Sequence, residues 1–390
     1  MAKKQFAYIN KDMLIWARGE TPFTSTSDVE ARQKSIKAEK LDQWERGEEL
    51  PSISEAKKLA ALYKVPLACF YLSAPPEKAI KNYVDRRTYS GAVYRETSYE
   101  LWKEIGRITQ NRKIMLDITD GITNNEKIPS FDAGAPVMDI AETMRKFLGL
   151  KPPYRTKSFY RGNAFNYFRN IIESKGIIVA QITDVSLDEM KGLSIYYDVY
   201  PIIAVNNKDY ERAKVFSLFH ELAHIIRRSS SLCMIDFDDR NDEEEKICDS
   251  IAAEILMPVT SFYAEAEKIR DEFNCWSTPC LQAIGDRFAV SSASVVRRLF
   301  ELNIISYSEY QIIYKKLSEE FEAKKQALEM AGKKDKIIKW HIRYLSKEGY
   351  LFPRIVVSAY HRGDLSYGEL CRALNSKSKH IDSIERAVML

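Results

Sequence analysis

The residues able to do chemistry are concentrated in one stretch, FSLFHELAHII at 216–226. Read as an α-helix, it puts His220 and His224 one turn apart on the same face. Both imidazoles can then reach one metal ion. Glu221, next to the first, is placed to take a proton from a water at that ion. This is the H-E-x-x-H arrangement used for metal-assisted hydrolysis. Val215, Phe216, Leu218, Phe219, Leu222, Ala223, Ile225 and Ile226 make the segment apolar nearly all round, as suits a helix inside a domain. Two imidazoles and a carboxylate are costly there unless a metal or hydrogen bonds compensate them. The plainer alternative is a pair of hydrogen-bonded core histidines beside a surface glutamate.

Two histidines do not complete a catalytic zinc site, which takes three protein ligands and keeps one position open. His341, His361 and His380 lie far downstream, so the third ligand should be a carboxylate on a following element. EEEKICDSIAAEILMP at 243–258 reads as a helix with a charged first turn that ends before Pro258. Its buried face is set by Cys248, Ala252 and Leu256, with Ile255 beside them. Glu245 extends that face by a turn, and Asp249, four residues on, follows it. Glu245 is therefore the leading third ligand and Glu244 the runner-up, with Glu243 and Glu254 directed to solvent. Asp249 is the candidate acceptor for the free ring N–H of a ligand histidine, a partner such histidines nearly always have.

Elements suited to holding this helix come just before it. NAFNYFRNIIES at 163–174 reads as a helix burying Phe165, Phe168, Ile171 and Ile172. Three β-branched and aromatic runs at 177–182, 192–197 and 200–205 then read as strands of a small sheet. Sheet followed by metal helix is the order a zincin-type peptidase needs. The strand carrying Gly192, Leu193 and Ser194 is the candidate edge along which an extended substrate would add. The fold class is thus α+β, with a zincin-like core.

The segments GIIVAQI, MKGLSIYYDVYPIIAVNN, ERAKVFSLFHELAHII and EKICDSIAAEILMP resemble, in that order, the ImmA/IrrE family of metallopeptidases. Carried onto this sequence, the resemblance implies His220, His224 and Glu245 as ligands of one zinc ion, with Mn2+ or another divalent metal as substitutes. Glu221 becomes the general base. Asp249 stands where the family often has Asn. The resemblance also implies a substrate: a DNA-binding repressor whose cleavage releases stress-response or mobile-element genes.

Residues 1–80 read as short helices punctuated by Gly47 and Pro51, an all-α bundle of helix-turn-helix type. KLDQWERGEELPSISEAKKLAALYKVPLACFYLSAPP resembles the XRE-type helix-turn-helix of phage and bacterial repressors, including its W-E-x-G-x-x-x-P. That resemblance puts a recognition helix near 35–44 and turns Lys34, Lys37, Lys40 and Gln43 toward DNA. Glu39, Asp42, Glu45, Glu48 and Glu49 share the neighbourhood, so it lacks a basic footprint. Residues 81–151 read as a helical connector that includes the basic turn VDRRTYSG. Residues 152–306 are the metallopeptidase domain, and 307–390 a helical C-terminal region. LQAIGDRFAVSSASVVRRLFELNIIS at 281–306 has a second helix-turn-helix outline, read as a packing unit for the peptidase.

A net charge of +4 over 390 residues permits nucleic-acid contact without demanding it. Six scattered cysteines without a CxxC pair suit a reducing compartment. No run reaches membrane-span length and the start lacks a signal-peptide core, so the expectation is a cytoplasmic protein without membrane contact. Its expected partners are a protein substrate, a helix-turn-helix repressor by the resemblance, DNA through the N-terminal bundle, and a second copy of the chain. The competing function is a non-proteolytic DNA-binding or antitoxin-like regulator on the same fold.

Overall fold

A computed structural model describes residues 5–75, 98–121, 126–132, 134–154, 163–228, 231–233, 242–330 and 338–389. The turn at 84–91 and the basic residues at 333–337 lie outside them. The chain divides into two compact units, Met1–Gln110 and Asn111–Leu390.

The first unit holds α1 (Lys11–Gly19), α2 (Thr26–Arg32), α3 (Ala38–Arg46) and α4 (Ile53–Tyr63), then a 3-10 turn at Leu67–Tyr71. Local chemistry sets these boundaries. Ser25 with Asp28, and Ser52 with Glu55, form reciprocal capping boxes. Gly47, at φ 78°, ends α3 in the left-handed region that favours glycine. Leu14, Val29, Ile36, Leu41, Trp44 and Leu59 meet in one core. Arg18 of α1 clamps Glu45 of α3 through two bonds of 2.8 and 2.9 Å. The region before α3 folds as two helices, and α2 and α3 are the pair that the helix-turn-helix expectation falls on. Lys34 falls in the turn, Lys37 caps α3 and pairs with Glu30 at 2.7 Å, and Lys40 is exposed. Gln43 is half-buried. The boundary between the units falls within α5 (Tyr99–Thr119).

After the last turns of α5, the second unit continues with α6 (Val137–Leu148) and α7 (Ala164–Glu173). It continues through β1 (Ile178–Ile182), β2 (Gly192–Ile195), β3 (Ile202–Asn206), α8 (Glu211–Ile226) and β4 (Ser231–Cys233). The sheet order is β1-β3-β2-β4, with β1 parallel to β3 and the other pairs antiparallel. Every residue of β1, β2 and β3 is buried. Val179, Ile203 and Val205 share a core with Leu218, Phe219 and Leu222 of α8, the two β3 residues being two positions apart as a pleated strand requires. α9 (Asp242–Leu256) packs on α8 and α6, and Pro258 separates it from α10 (Val259–Phe273). The helical hairpin α11 (Thr278–Phe288) and α12 (Ser292–Glu301) joins the same core, as expected of a packing unit. α13 (Tyr307–Met330), α14 (Trp340–Glu348), α15 (Leu351–Arg362), α16 (Tyr367–Ala373) and α17 (Ser378–Val388) complete the chain. Arg169 of α7, fully buried, ties the sheet to α14 by donating to the carbonyls of Val179, Leu345 and Ser346. Among the described residues no single helix is long and apolar enough to cross a membrane.

Two expectations change. The strand carrying Gly192, Leu193 and Ser194 is not an edge, because the chain leaving α8 returns as β4 and pairs along its outer side, Gly192 opposite Cys233 and Ser194 opposite Ser231. Glu254 does not face solvent. The C-terminal half of α9 is enclosed on all sides, and Glu254 is buried against Arg298 of α12 while accepting from the Val259 N–H at 3.2 Å. His380 is half-buried, stacked on Trp340 with ring centroids 4.3 Å apart.

Candidate active site

α8 and α9 lie side by side and supply the polar groups of the site from facing turns. The helical spacing of His220 and His224 turns both Nε2 atoms to one point, 3.2 Å from each other. Glu245 closes the triangle, with carboxylate oxygens 3.1 Å from the Nε2 of His220 and 3.5 Å from that of His224. Zinc–ligand distances of about 2.0–2.1 Å in tetrahedral geometry imply ligand–ligand edges of about 3.3–3.4 Å. The Nε2–Nε2 separation lies close to such an edge and one carboxylate oxygen of Glu245 approaches each imidazole, so this donor set fits a divalent metal. Burial alone would raise the Glu245 carboxyl, but hydrogen bonds from both imidazoles outweigh it and hold the group well below the usual carboxylate range.

The choice between the two adjacent glutamates is made by Arg227, whose guanidinium holds Glu244 through bonds of 2.6 and 2.7 Å and draws it off the site. A second donor set, His224, Glu244 and Cys248, also converges. It is the poorer one. Glu244 is engaged by Arg227, and burial pushes the Cys248 thiol up, away from the thiolate a metal needs. The Cys248 sulfur instead sits 3.6 Å from Nδ1 of His224.

Asp249 lies where the sequence puts it, with Oδ1 2.8 Å from Nδ1 of His220. Its other oxygen receives Nη2 of Arg297 at 2.7 Å. Burial would raise this carboxyl too, yet the bond from His220 and the charge of Arg297 keep it low. Glu221 is fully buried beside His220. Gly192 makes room for it: a Cβ there would stand 2.9 Å from both Cγ and Cδ of Glu221. That close approach, rather than a free strand edge, is what β2 contributes through its glycine. A cavity of about 320 Å3 opens at His220 and Glu221 and extends to Arg297 and Tyr310. The other candidate residues lie elsewhere. Lys34, Lys37, Lys40 and Gln43 belong to the first unit, His361 pairs with Glu385, and His341 lines a separate recess with Trp340.

Arg227, Cys248 as a neighbour of His224, Arg297 and Tyr310 were not singled out for the site by the sequence. Arg297 stood in view only as part of a basic pair on a helix-turn-helix outline. Nothing local to α12 shows that its side chain reaches Asp249.

A small sheet with three buried strands, an H-E-x-x-H helix packed on it and a carboxylate from the next helix define a metallopeptidase-type core. Residues 178–300, from the start of β1 into the last turn of α12, match the peptidase-family model described as the IrrE N-terminal-like domain. Over these residues the chain is similar to the ImmA/IrrE family of peptidases. A search of curated proteins finds no match.

Proposed function

We propose that this chain is a zinc-dependent endopeptidase that cuts a DNA-binding repressor or a similar regulatory protein. The observation carrying the metal-dependent reading is the convergence of His220, His224 and Glu245 next to the buried carboxylate of Glu221. A divalent ion held by these three groups would supply a Lewis acid that polarises a peptide carbonyl and makes water more acidic. Glu221 then does the proton work. It accepts a proton from the attacking water and delivers it to the departing amine. Asp249 keeps the ring of His220 oriented, and the cavity beside Glu221 receives the peptide around the scissile bond. The repressor as substrate is supported by the family resemblance. The helix-turn-helix of the first unit supports a regulatory setting, in which it docks DNA or a protein partner.

Full-length protein is to be co-expressed with a candidate helix-turn-helix repressor, as wild type and as Glu221→Gln. Wild type should contain about one zinc per chain and cut the repressor. Glu221→Gln should keep the zinc and lose cleavage by about 100-fold or more, the span of general acid–base catalysis. Equal cleavage by both proteins rules out Glu221 as the base. Intact repressor with either protein, together with tight partner or DNA binding, supports the non-proteolytic regulator instead.

A further inference from the structure

We propose that Arg297 is a positioning residue for the metal centre, acting through Asp249 on His220. The inference rests on the reading of His220 as a metal ligand. The chain of contacts is continuous: Arg297 Nη2 to Asp249 Oδ2 at 2.7 Å, then Asp249 Oδ1 to His220 Nδ1 at 2.8 Å. Each carboxylate oxygen has one partner, so the plane of the group is set from both ends. A histidine that turns an Nε2 lone pair to a cation carries its ring proton on Nδ1, and the carboxylate accepting that proton fixes the ring. Asp249 can do so only while it points at His220. Arg297 holds it there.

Charge gives the guanidinium a second role. Glu221, Glu245 and Asp249 bring three carboxylates around the two imidazoles, more negative charge than one divalent cation offsets. With Arg297 in place, Asp249 is neutralised at its outer oxygen and does not compete as a ligand. The guanidinium is itself held in place. Its Nε donates to Glu301 at 3.0 Å one turn along α12, and the adjacent Arg298 anchors that helix to α9 through Glu254. The α11–α12 hairpin therefore takes part in the site through one side chain as well as in packing.

The test uses the full chain and zinc alone, with affinity read by competition against a chromophoric chelator. Arg297→Ala should weaken zinc binding by about 10- to 100-fold, the usual effect of removing a partner behind a ligand histidine, and Arg297→Lys should recover most of the loss. In an Asp249→Asn background, Arg297→Ala should change affinity by less than about two-fold, because coupled residues do not act additively. Melting temperatures of the metal-free variants separate a packing role, which would lower them and leave zinc affinity as in wild type. If Arg297→Ala does not fold, Arg297→Gln serves in the same cycle. Unchanged affinity in the single variant, or losses that multiply in the double variant, overturns the inference while the metal centre stands. Wild type that binds no zinc, or His220→Ala that binds it as well as wild type, removes the metal-centre reading and this inference with it.

Discussion

Glu244 and Glu245 are adjacent in sequence and separated in role by a hundred degrees of helix rotation and one arginine. Glu245 faces the two imidazoles, whereas Glu244 is held outward by Arg227. Glu245→Gln should therefore lower zinc affinity by more than the 10- to 100-fold typical of outer partners. Glu244→Gln should leave it unchanged and cost only about 0–1 kcal/mol in stability, since its pair with Arg227 is partly exposed. Chelator competition and urea unfolding on both variants check this, and equal loss of zinc in the two would contradict the ligand assignment. At this scale the site was largely legible. His220, Glu221 and His224 follow from spacing within one helix. Glu245 and Asp249 follow from the phase of a second helix, with Glu244 left as an alternative. Arg227 and Arg297 did not follow, because their roles depend on which helices face each other.

Among the elements, α9 and β2 depart most from their local pattern. The alternation of apolar and polar residues on α9 describes a helix with one wet face, and on that basis Glu254 points out. Instead α6, α8 and the α11–α12 hairpin enclose its C-terminal half, and Arg298 compensates the carboxylate. Both side chains are under a tenth exposed, 7% for Arg298 and 6% for Glu254. Arg298→Met should therefore destabilise the protein by about 3–5 kcal/mol, the cost of leaving one buried charge without its partner. Equilibrium unfolding in urea measures it, and a loss below about 1 kcal/mol would place the pair in the class of surface bridges. β2 was legible as a strand but not as an inner one. Its neighbour β4 is only three residues long and follows a helix, so no run of alternating residues announces it.

For the whole molecule, the two units have separate cores, one built around Trp44 and Tyr63 and the other around α8 and the sheet. Calorimetry should resolve two unfolding transitions. A chelator should lower only the one belonging to Asn111–Leu390, since a metal at 100 times its dissociation constant contributes about 2.7 kcal/mol to the unit that binds it. A single transition, or a shift confined to the smaller one, would contradict this placement. The sequence by itself determined the N-terminal bundle of short helices, the α+β class and the metal-binding pattern, because capping, periodicity and i,i+4 spacing act over a few residues. Tertiary structure alone decided that Arg227 draws Glu244 off the site, that β4 closes the edge of β2, and that Arg297 stands behind Asp249. Those outcomes depend on contacts between residues 17 to 48 positions apart or more, where packing and charge pairing choose among neighbours that local rules leave equivalent.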